Sequence, residues 1–318
     1  MCSRRPPRSS VPRAFRSIAA LLATVLVLPL AACSEDGGSR ATGRNAAADG
    51  RLRVVASTNV YVDIAAAVGG DAVDATPLIS RPDQDPHAYE ATVRDRLNVS
   101  KADLVIVNGG GYDPFMSALI QADRVGGAVI DAVAVSGRPA NEHVWYSLAA
   151  MVALVPVIKD ELAARRPADA QAFAANASAL TGKLSALERR LATLKNTAPA
   201  DGTGRDVVVT EPVPLYLLAD AGLRDVTPPS FAHAVEAGGS VSPADLKSVR
   251  DLLAQRRVAF LAYNPQTETA QTRSLASAAA DAGVPVVDFA ETLPVGTRYA
   301  DWMSANVSAV ESALRASR

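Results

Sequence analysis

The chain has 318 residues, of which 49% are apolar and 20% are charged, and its formal net charge at pH 7 is −1. This composition excludes a disordered or fibrous chain, and the length is enough for one large or two medium domains with a substantial core.

The first 32 residues have the layout of an export signal. Residues 1–17 hold five arginines and no acid, an apolar run follows over residues 18–30, and small residues lead to Cys33. A basic start before a short apolar stretch is typical of a secretory signal, and the run is shorter than the roughly 20 residues of an ordinary membrane span. We therefore predict a signal peptide over residues 1–32 that is removed.

Cys33 is predicted to carry a lipid. The segment Leu30-Ala31-Ala32-Cys33 resembles the lipobox of bacterial lipoproteins, in which the cysteine becomes the lipidated first residue of the mature protein. A signal without lipidation, followed by an accidental cysteine, is the alternative. The resemblance implies a lipid anchor on the extracytoplasmic face of a bacterial cell membrane.

The mature chain is expected to be mildly acidic. Removal of residues 1–32 takes away Cys2 and five arginines, which leaves 27 basic and 33 acidic side chains and a net charge of −6. With one remaining cysteine the chain has no internal disulfide and relies on its core for stability. An acidic chain without a basic tract is a poor partner for nucleic acid, so none is expected. Residues 33–50, rich in Gly, Ala, Ser and charge, predict a flexible tether.

Residues 51–160 predict an N-terminal α/β lobe. Short apolar runs over residues 52–57, 101–108 and 129–135 predict strands, and helical stretches separate them. Continuous apolar strands alternating with helices are typical of a parallel sheet, which binds ligands at the carboxyl ends of its strands.

Residues 161–200 predict a long linking helix. No strand pattern occurs between residues 147 and 196, and after a break at Arg166-Pro167 leucines recur at three and four residues along the chain. A coiled coil with a partner is the alternative. Because a lone helix with so few heptads more often packs against its own protein, a monomer is expected.

Residues 201–318 predict a C-terminal α/β lobe. The predicted strands cover residues 206–210, 258–263 and 284–289, and the predicted helices cover residues 215–221, 269–282 and 299–316. The predicted fold class is therefore α/β, with two parallel-sheet lobes joined by a long rigid helix and a site in the cleft between them.

Four side chains with metal-binding groups are spread over the two predicted lobes: His87, His143, Glu211 and Glu291, which lie 56, 68 and 80 residues apart. Such a set can meet only in the folded protein. Two imidazoles and two carboxylates suit a divalent first-row metal ion. The alternatives are surface histidines in turns, and for Glu211 a helix N-cap or an acid in the first turn of a helix, which its place before Pro212 would also explain. Asp288 is the rival of Glu291.

Three further features are interpreted as supporting or structural rather than as metal ligands. His233 fits a loop or helix histidine better than a ligand. Trp145 and Tyr146 are expected to form a wall beside the metal, with core packing as the alternative. The glycines of NGGGYDPF lack the pattern of a phosphate-binding loop and predict a turning backbone.

Several segments in combination resemble the zinc/manganese ABC-transporter solute-binding lipoproteins. They are DPHAYE, ADLVIVNGGGYDPFM, NEHVWYS, the long helix and AGVPVVDFAETLPVGTRYADWM, together with the lipobox. The resemblance covers residues 51–318 and implies two lobes linked by a rigid helix with a buried metal between them. It also implies that His87, His143, Glu211 and Glu291 are the four metal ligands.

The chain departs from this family's pattern near the ligands. Most members read DPHVW where this chain reads NEHVW around His143, and the fourth ligand is usually an aspartate where this chain has Glu291. Residues 108–142 lack the histidine-rich loop of many zinc-type members, and a glutamate such as Glu211 is typical of manganese-type members. Mixed nitrogen and oxygen ligands suit manganese or iron, whereas the general order of affinities favours zinc. Zinc is the expected ion, and Mn²⁺ and Fe²⁺ are alternatives.

The function implied by the resemblance is that of an extracytoplasmic receptor of an ABC importer, which captures one divalent transition metal ion and delivers it to a membrane permease. Four protein ligands leave no open coordination position, so no enzymatic activity is expected. A lipid-anchored metallohydrolase with a catalytic zinc and a surface adhesin are the alternatives.

Overall fold

The computed structural model describes residues 50–81, 84, 87–123, 125–199 and 202–317. They form two α/β lobes, each built on a four-stranded parallel sheet, and the predicted fold class is confirmed. The predicted signal peptide, Cys33 and all but the last residue of the predicted tether lie outside the described residues.

The first lobe is a parallel sheet with the strand order β2-β1-β3-β4. Its strands are β1 (Leu52–Thr58), β2 (Val73–Ile79), β3 (Leu104–Val107) and β4 (Ala128–Asp131). Its helices are α1 (Asn59–Gly69), α2 (Val93–Ser100), α3 (Pro114–Asp123) and α4 (Ala132–Ser136). The central strands β1 and β3 are almost wholly buried, which explains their continuous apolar sequences.

Two details of this sheet differ from the sequence prediction. Strand β2 was not predicted; it lies at the sheet edge, where Pro77 and a polar sequence are tolerated. The strand predicted over residues 129–135 ends at Asp131, because the Asp131 carboxylate accepts the N–H of Ala134 at 2.8 Å and so caps helix α4.

Two helices that contact each other follow the first sheet, α5 (Leu148–Arg165) and α6 (Ala170–Asn196). A short 3₁₀ turn at Pro167–Asp169 separates them, at the break that the sequence predicts. One face of α6 is buried through Phe173, Leu180, Leu184, Leu187 and Leu191. This face packs against α1 and α5 and also against helices of the second lobe, so α6 connects the two halves of the molecule.

The second lobe is a parallel sheet with the strand order β6-β5-β7-β8. Its strands are β5 (Asp206–Val209), β6 (Arg224–Asp225), β7 (Leu261–Tyr263) and β8 (Val286–Asp288). Its helices are α7 (Leu215–Asp220), α8 (Pro229–Glu236), α9 (Pro243–Ala254), α10 (Ala270–Ala282) and α11 (Tyr299–Ala316). Strand β6 and helices α8 and α9 were not predicted, whereas α11 has the bounds that the sequence predicts.

The main hydrophobic core is continuous across both lobes. It includes Val54 of β1, Leu184 of α6 and Val207 of β5 in one cluster. Polar contacts reinforce this junction: Asn59 donates to the carbonyl of Leu293 at 3.0 Å and accepts its N–H at 2.9 Å. Among the residues with described structure, no helix is long and apolar enough to cross a membrane.

Candidate metal centre

The four predicted ligands line one cavity of about 260 Å³, with His87 and His143 on the first lobe and Glu211 and Glu291 on the second. One ring nitrogen from each histidine and one carboxylate oxygen of Glu291 all lie within 4.8 Å of one another. Glu211 is joined to this cluster through a hydrogen-bond donor that it shares with Glu291. The fold therefore brings together the four side chains that the sequence singles out.

His143 is fixed in a loop between α4 and α5 and is only 1% exposed. Its backbone N–H donates to Oδ1 of Asn141 at 2.9 Å, and Nδ1 of its ring lies 2.7 Å from the same oxygen. Because an amide oxygen only accepts, Nδ1 carries the proton and Nε2 keeps a free lone pair. Burial, and next the neighbouring His87, lower the pKa of His143 to about 3, so the ring is neutral near pH 7, as a metal ligand must be.

His87 occupies the segment between β2 and α2 and is partly exposed. Its ring meets the ring of Tyr112 edge to face, with centroids 5.1 Å apart. The two imidazoles thus differ: His143 is enclosed, whereas His87 lies at the edge of the cavity.

The two glutamates are held by one amide. Glu211 follows β5 and Glu291 lies just beyond β8, and both are buried, at 5% and 3% exposure. Asn264, directly after β7, donates from Nδ2 to Oε2 of Glu211 at 2.5 Å and to Oε1 of Glu291 at 2.8 Å. The Thr267 hydroxyl also donates to Glu211, at 2.5 Å.

The electrostatics of this pair favour a bound cation. Burial, and next the negative charge of Glu211, raise the pKa of Glu291, while hydrogen bonds from Asn264 and Tyr112 act in the opposite direction. Two buried carboxylates that share one donor repel each other. A divalent ion between them and the histidines would neutralise this charge.

Tyr112 connects the two halves of the centre. Its hydroxyl donates to Oε2 of Glu291 at 3.0 Å, and its buried ring contacts the rings of His87, His143 and Trp145. The preceding glycines have φ values of +79°, +67° and +101°, which favour glycine, so the predicted turning backbone is present and delivers this ring to the site.

Trp145 and Tyr146, predicted together as a wall beside the metal, lie in different surroundings. The centroid of the Trp145 ring lies 5.2 Å from that of the His143 ring, so Trp145 packs against a candidate ligand. Tyr146 packs instead against Phe289 and Trp302, and its hydroxyl donates to the carbonyl of Ala290 at 2.8 Å. Tyr146 therefore belongs to the core at the lobe junction.

Asp288 and His233, the two competing ligand candidates, are not among the described residues that line the cavity. Asp288 is exposed at the end of β8 and is not among the described residues that line the cavity, so the geometry favours Glu291 as the fourth ligand. His233 lies on α8 with 85% of its side chain exposed, and its Nδ1 is 3.8 Å from Oε2 of Glu236.

Three residues of the centre were missed by the sequence prediction. Asn264 follows a strand directly, so the rule that located Glu211 applies to it as well. Tyr112 was assigned only to a turn. Glu236 ends the unpredicted helix α8 and lines the same cavity. Burial, and next Glu142 and Glu291, raise the pKa of Glu236 to about 7. One atom each of Glu142, His143 and Glu236 also lie within 4.8 Å of one another.

Comparisons with known proteins identify the family to which the chain belongs. The chain matches the family model of ZnuA, the periplasmic zinc-uptake complex component A, over residues 54–313. It is 24% identical over 290 residues to the metal ABC transporter substrate-binding lipoprotein FimA of Streptococcus parasanguinis, covering 86% of this chain and 88% of that protein. The manganese ABC transporter substrate-binding lipoprotein PsaA of Streptococcus pneumoniae is 24% identical over 291 residues, with the same coverage.

A solved structure shows the same fold. The substrate-binding protein FpvC of Pseudomonas aeruginosa, in complex with Mn²⁺, superposes with a TM-score of 0.67 at 26% identity. The match covers 83% of this chain and 98% of that chain.

Proposed function

We propose a function from the premise that this chain belongs to the family of the periplasmic zinc-uptake complex component A, ZnuA. The protein is the extracytoplasmic solute-binding receptor of an ABC importer; it captures one divalent transition metal ion and delivers it to a membrane permease. The observation that supports this most strongly is the single cavity lined by two histidines of one lobe and two buried glutamates of the other.

The ion is the cargo, and the four side chains act on it together. Nε2 of His143 offers a lone pair to the ion from a ring held neutral by burial, His87 supplies the second nitrogen, and Glu211 and Glu291 supply negative charge. Because the ligands come from both lobes, the bound ion cross-links them. Release to the permease requires that this cross-link be broken, which docking to the permease would achieve.

Zinc is the ion that we propose, with Mn²⁺ and Fe²⁺ as competitors for the same ligands. Imidazole and carboxylate donors bind all three ions, and zinc has the highest intrinsic affinity of the three. The relatives support a metal cargo in general, since their names include zinc and manganese. We also propose lipidation at Cys33, an extracytoplasmic position at the cell membrane and a monomeric protein; two relatives are named lipoproteins.

The alternatives gain no support from these observations. A metallohydrolase needs an open coordination position for water, whereas four protein ligands fill a tetrahedral zinc site. The relatives are named as substrate-binding proteins, which gives no reason to favour an enzyme or an adhesin.

A competition titration tests the proposed function. The purified protein is stripped with a chelator, and Zn²⁺ and Mn²⁺ are titrated separately and in competition while the melting temperature is recorded. We expect one ion per chain and a rise in melting temperature, because a ligand that binds only the folded state stabilises it. Absence of any metal-dependent shift in the parent protein would overturn the proposal.

A further inference from the structure

Asn141 lies between a candidate ligand and the opposite lobe. Its Oδ1 accepts the backbone N–H of His143 at 2.9 Å and contacts Nδ1 of the same residue at 2.7 Å. Its Nδ2 donates to the carbonyl oxygen of Pro212 at 2.8 Å. Pro212 directly follows Glu211, so one side-chain amide joins the ligand segments of both lobes.

The partners of Asn141 determine how its amide is oriented. Two of them, the N–H and ring Nδ1 of His143, lie on one side, and a carbonyl oxygen lies on the other. The amide oxygen must face His143, because the opposite orientation would point the NH₂ group at a backbone N–H and the oxygen at a carbonyl. The His143 proton is therefore held on Nδ1.

An aspartate would not reproduce this arrangement. A carboxylate can accept both N–H groups of His143 but has no hydrogen to donate to Pro212. Asn141 therefore has two functions: its oxygen orients His143, and its NH₂ group links the two lobes. A second link is independent of His143: the Tyr216 hydroxyl shares its one hydrogen between the carbonyls of Arg138, at 3.1 Å, and Asn141, at 3.0 Å.

We propose that Asn141 is a positioning residue: it presents Nε2 of His143 to the metal ion and, through Pro212, makes that presentation depend on the two lobes being together. The inference rests on the proposed metal-binding function. It means that separation of the lobes loosens the orientation of His143 and so promotes release of the ion.

Three variants test this inference: Asn141→Ala, Asn141→Asp and Tyr216→Phe. Two properties are measured on the chelator-stripped chain. The first is the tautomer of the imidazoles, by long-range ¹H–¹⁵N NMR, which is tractable because the chain has three histidines. The second is Zn²⁺ binding, as an equilibrium constant and a dissociation rate, by competition with a chromophoric chelator.

Asn141→Ala should lose the Nδ1–H tautomer of His143 and weaken Zn²⁺ binding by about 10–100-fold, the usual effect of removing a partner of a metal-binding histidine. Asn141→Asp should keep the tautomer but release Zn²⁺ about 2–10-fold faster, because one neutral hydrogen bond between the lobes is lost. Tyr216→Phe should keep the tautomer and an affinity close to that of the parent.

Each contrary result has a distinct meaning. A parent protein that binds no metal would overturn the proposed function and this inference with it. A parent that binds tightly, together with an Asn141→Ala variant of unchanged tautomer and affinity, would overturn this inference alone. If Tyr216→Phe weakened Zn²⁺ binding as much as Asn141→Ala, any loss of contact between the lobes would weaken binding, and the specific role of Asn141 would be overturned. An unchanged Zn²⁺ dissociation rate in Asn141→Asp would overturn the role of the bond to Pro212.

Discussion

The two halves of the candidate metal centre are built on different principles. In the first lobe, His143 is enclosed and oriented by Asn141, whereas His87 lies partly exposed at the edge of the cavity. In the second lobe, Glu211 and Glu291 are both buried and share the Asn264 amide. The imidazole half therefore combines one enclosed and one partly exposed nitrogen ligand, and the carboxylate half places two buried, mutually repelling carboxylates where a bound metal ion would relieve the repulsion.

The largest expected effect is a loss of folding stability of the metal-free protein at low pH. The pKa of His143 is about 3 in the folded protein, below its ordinary value of 6.5, so the unfolded chain binds the proton more readily. The metal-free protein should lose stability as the pH falls from about 6.5 towards about 3, by a few kcal/mol in total. Chemical unfolding of the parent and of His143→Gln across this range measures the contribution, which the variant should lack. Identical pH profiles would contradict the burial argument.

Next in size is the loss of the enclosed imidazole. His143→Ala should weaken Zn²⁺ binding by more than about 100-fold, beyond the usual effect of losing an outer partner, and His87→Ala should have a smaller effect because that ring is at the cavity edge. Isothermal titration of both variants measures the difference. His233→Ala is the matched control, because this histidine is 85% exposed, and it should bind like the parent. Equal losses of Zn²⁺ affinity in His87→Ala and His143→Ala would contradict the expectation that the enclosed ring contributes more to binding.

Removal of one charge from the carboxylate half should have opposite effects on binding and on stability. Glu291→Gln should bind Zn²⁺ roughly 10–100-fold more weakly. In the metal-free state it should be more stable, on the order of 1 kcal/mol, because repulsion with Glu211 is relieved. Urea unfolding with and without metal measures both effects. A metal-free variant less stable than the parent would show that the hydrogen bonds to Glu291 outweigh the repulsion.

The smallest effects are expected from the donors around the glutamates. Asn264→Ala should weaken Zn²⁺ binding about 10-fold, because it removes the donor that both carboxylates share. Thr267→Val removes one donor to Glu211 alone and should cost only a few-fold, as one hydrogen bond does. Affinities of the two variants and of the double variant measure the order. A larger effect of Thr267→Val would mean that Glu291 does not depend on Asn264.

The sequence predicted the elements with strong periodicity and missed those stabilised by their surroundings. The bounds of α11 match the prediction, and the long linking helix begins at Ala170, shortly after the break at Arg166-Pro167 that the sequence predicts. Strand β6 has two residues and strand β2 contains a proline, so both depend on the neighbouring strand for their conformation. Helix α9 was missed although Ser242 caps it by accepting the N–H of Asp245, a start signal visible in the sequence.

In the candidate site, too, residues with a local sequence signal were predicted and residues that depend on the fold were missed. His87, His143, Glu211 and Glu291 could be singled out because their side chains bind metals and occur at predicted strand ends or in segments that resemble the family. The family itself is confirmed by the match over residues 54–313. Tyr112 and Asn264 act by touching those side chains, and their contacts with Glu291 and Glu211 span 179 and 53 residues, so the folded backbone decides them rather than local pattern. Asn141 lies only two residues before His143, but its bond to Pro212 spans 71 residues and needs the folded chain as well.

The hydrophobic core that runs through both lobes affects how the protein unfolds. Because Val54, Leu184 and Val207 belong to one cluster, and because Asn59 and Leu293 exchange two hydrogen bonds, neither lobe can lose its packing without exposing the other. We therefore expect the two lobes to unfold together, so calorimetry should record a single heat-absorption peak whose van't Hoff and calorimetric enthalpies agree. An ion held between them then stabilises both lobes, including strands far from the metal.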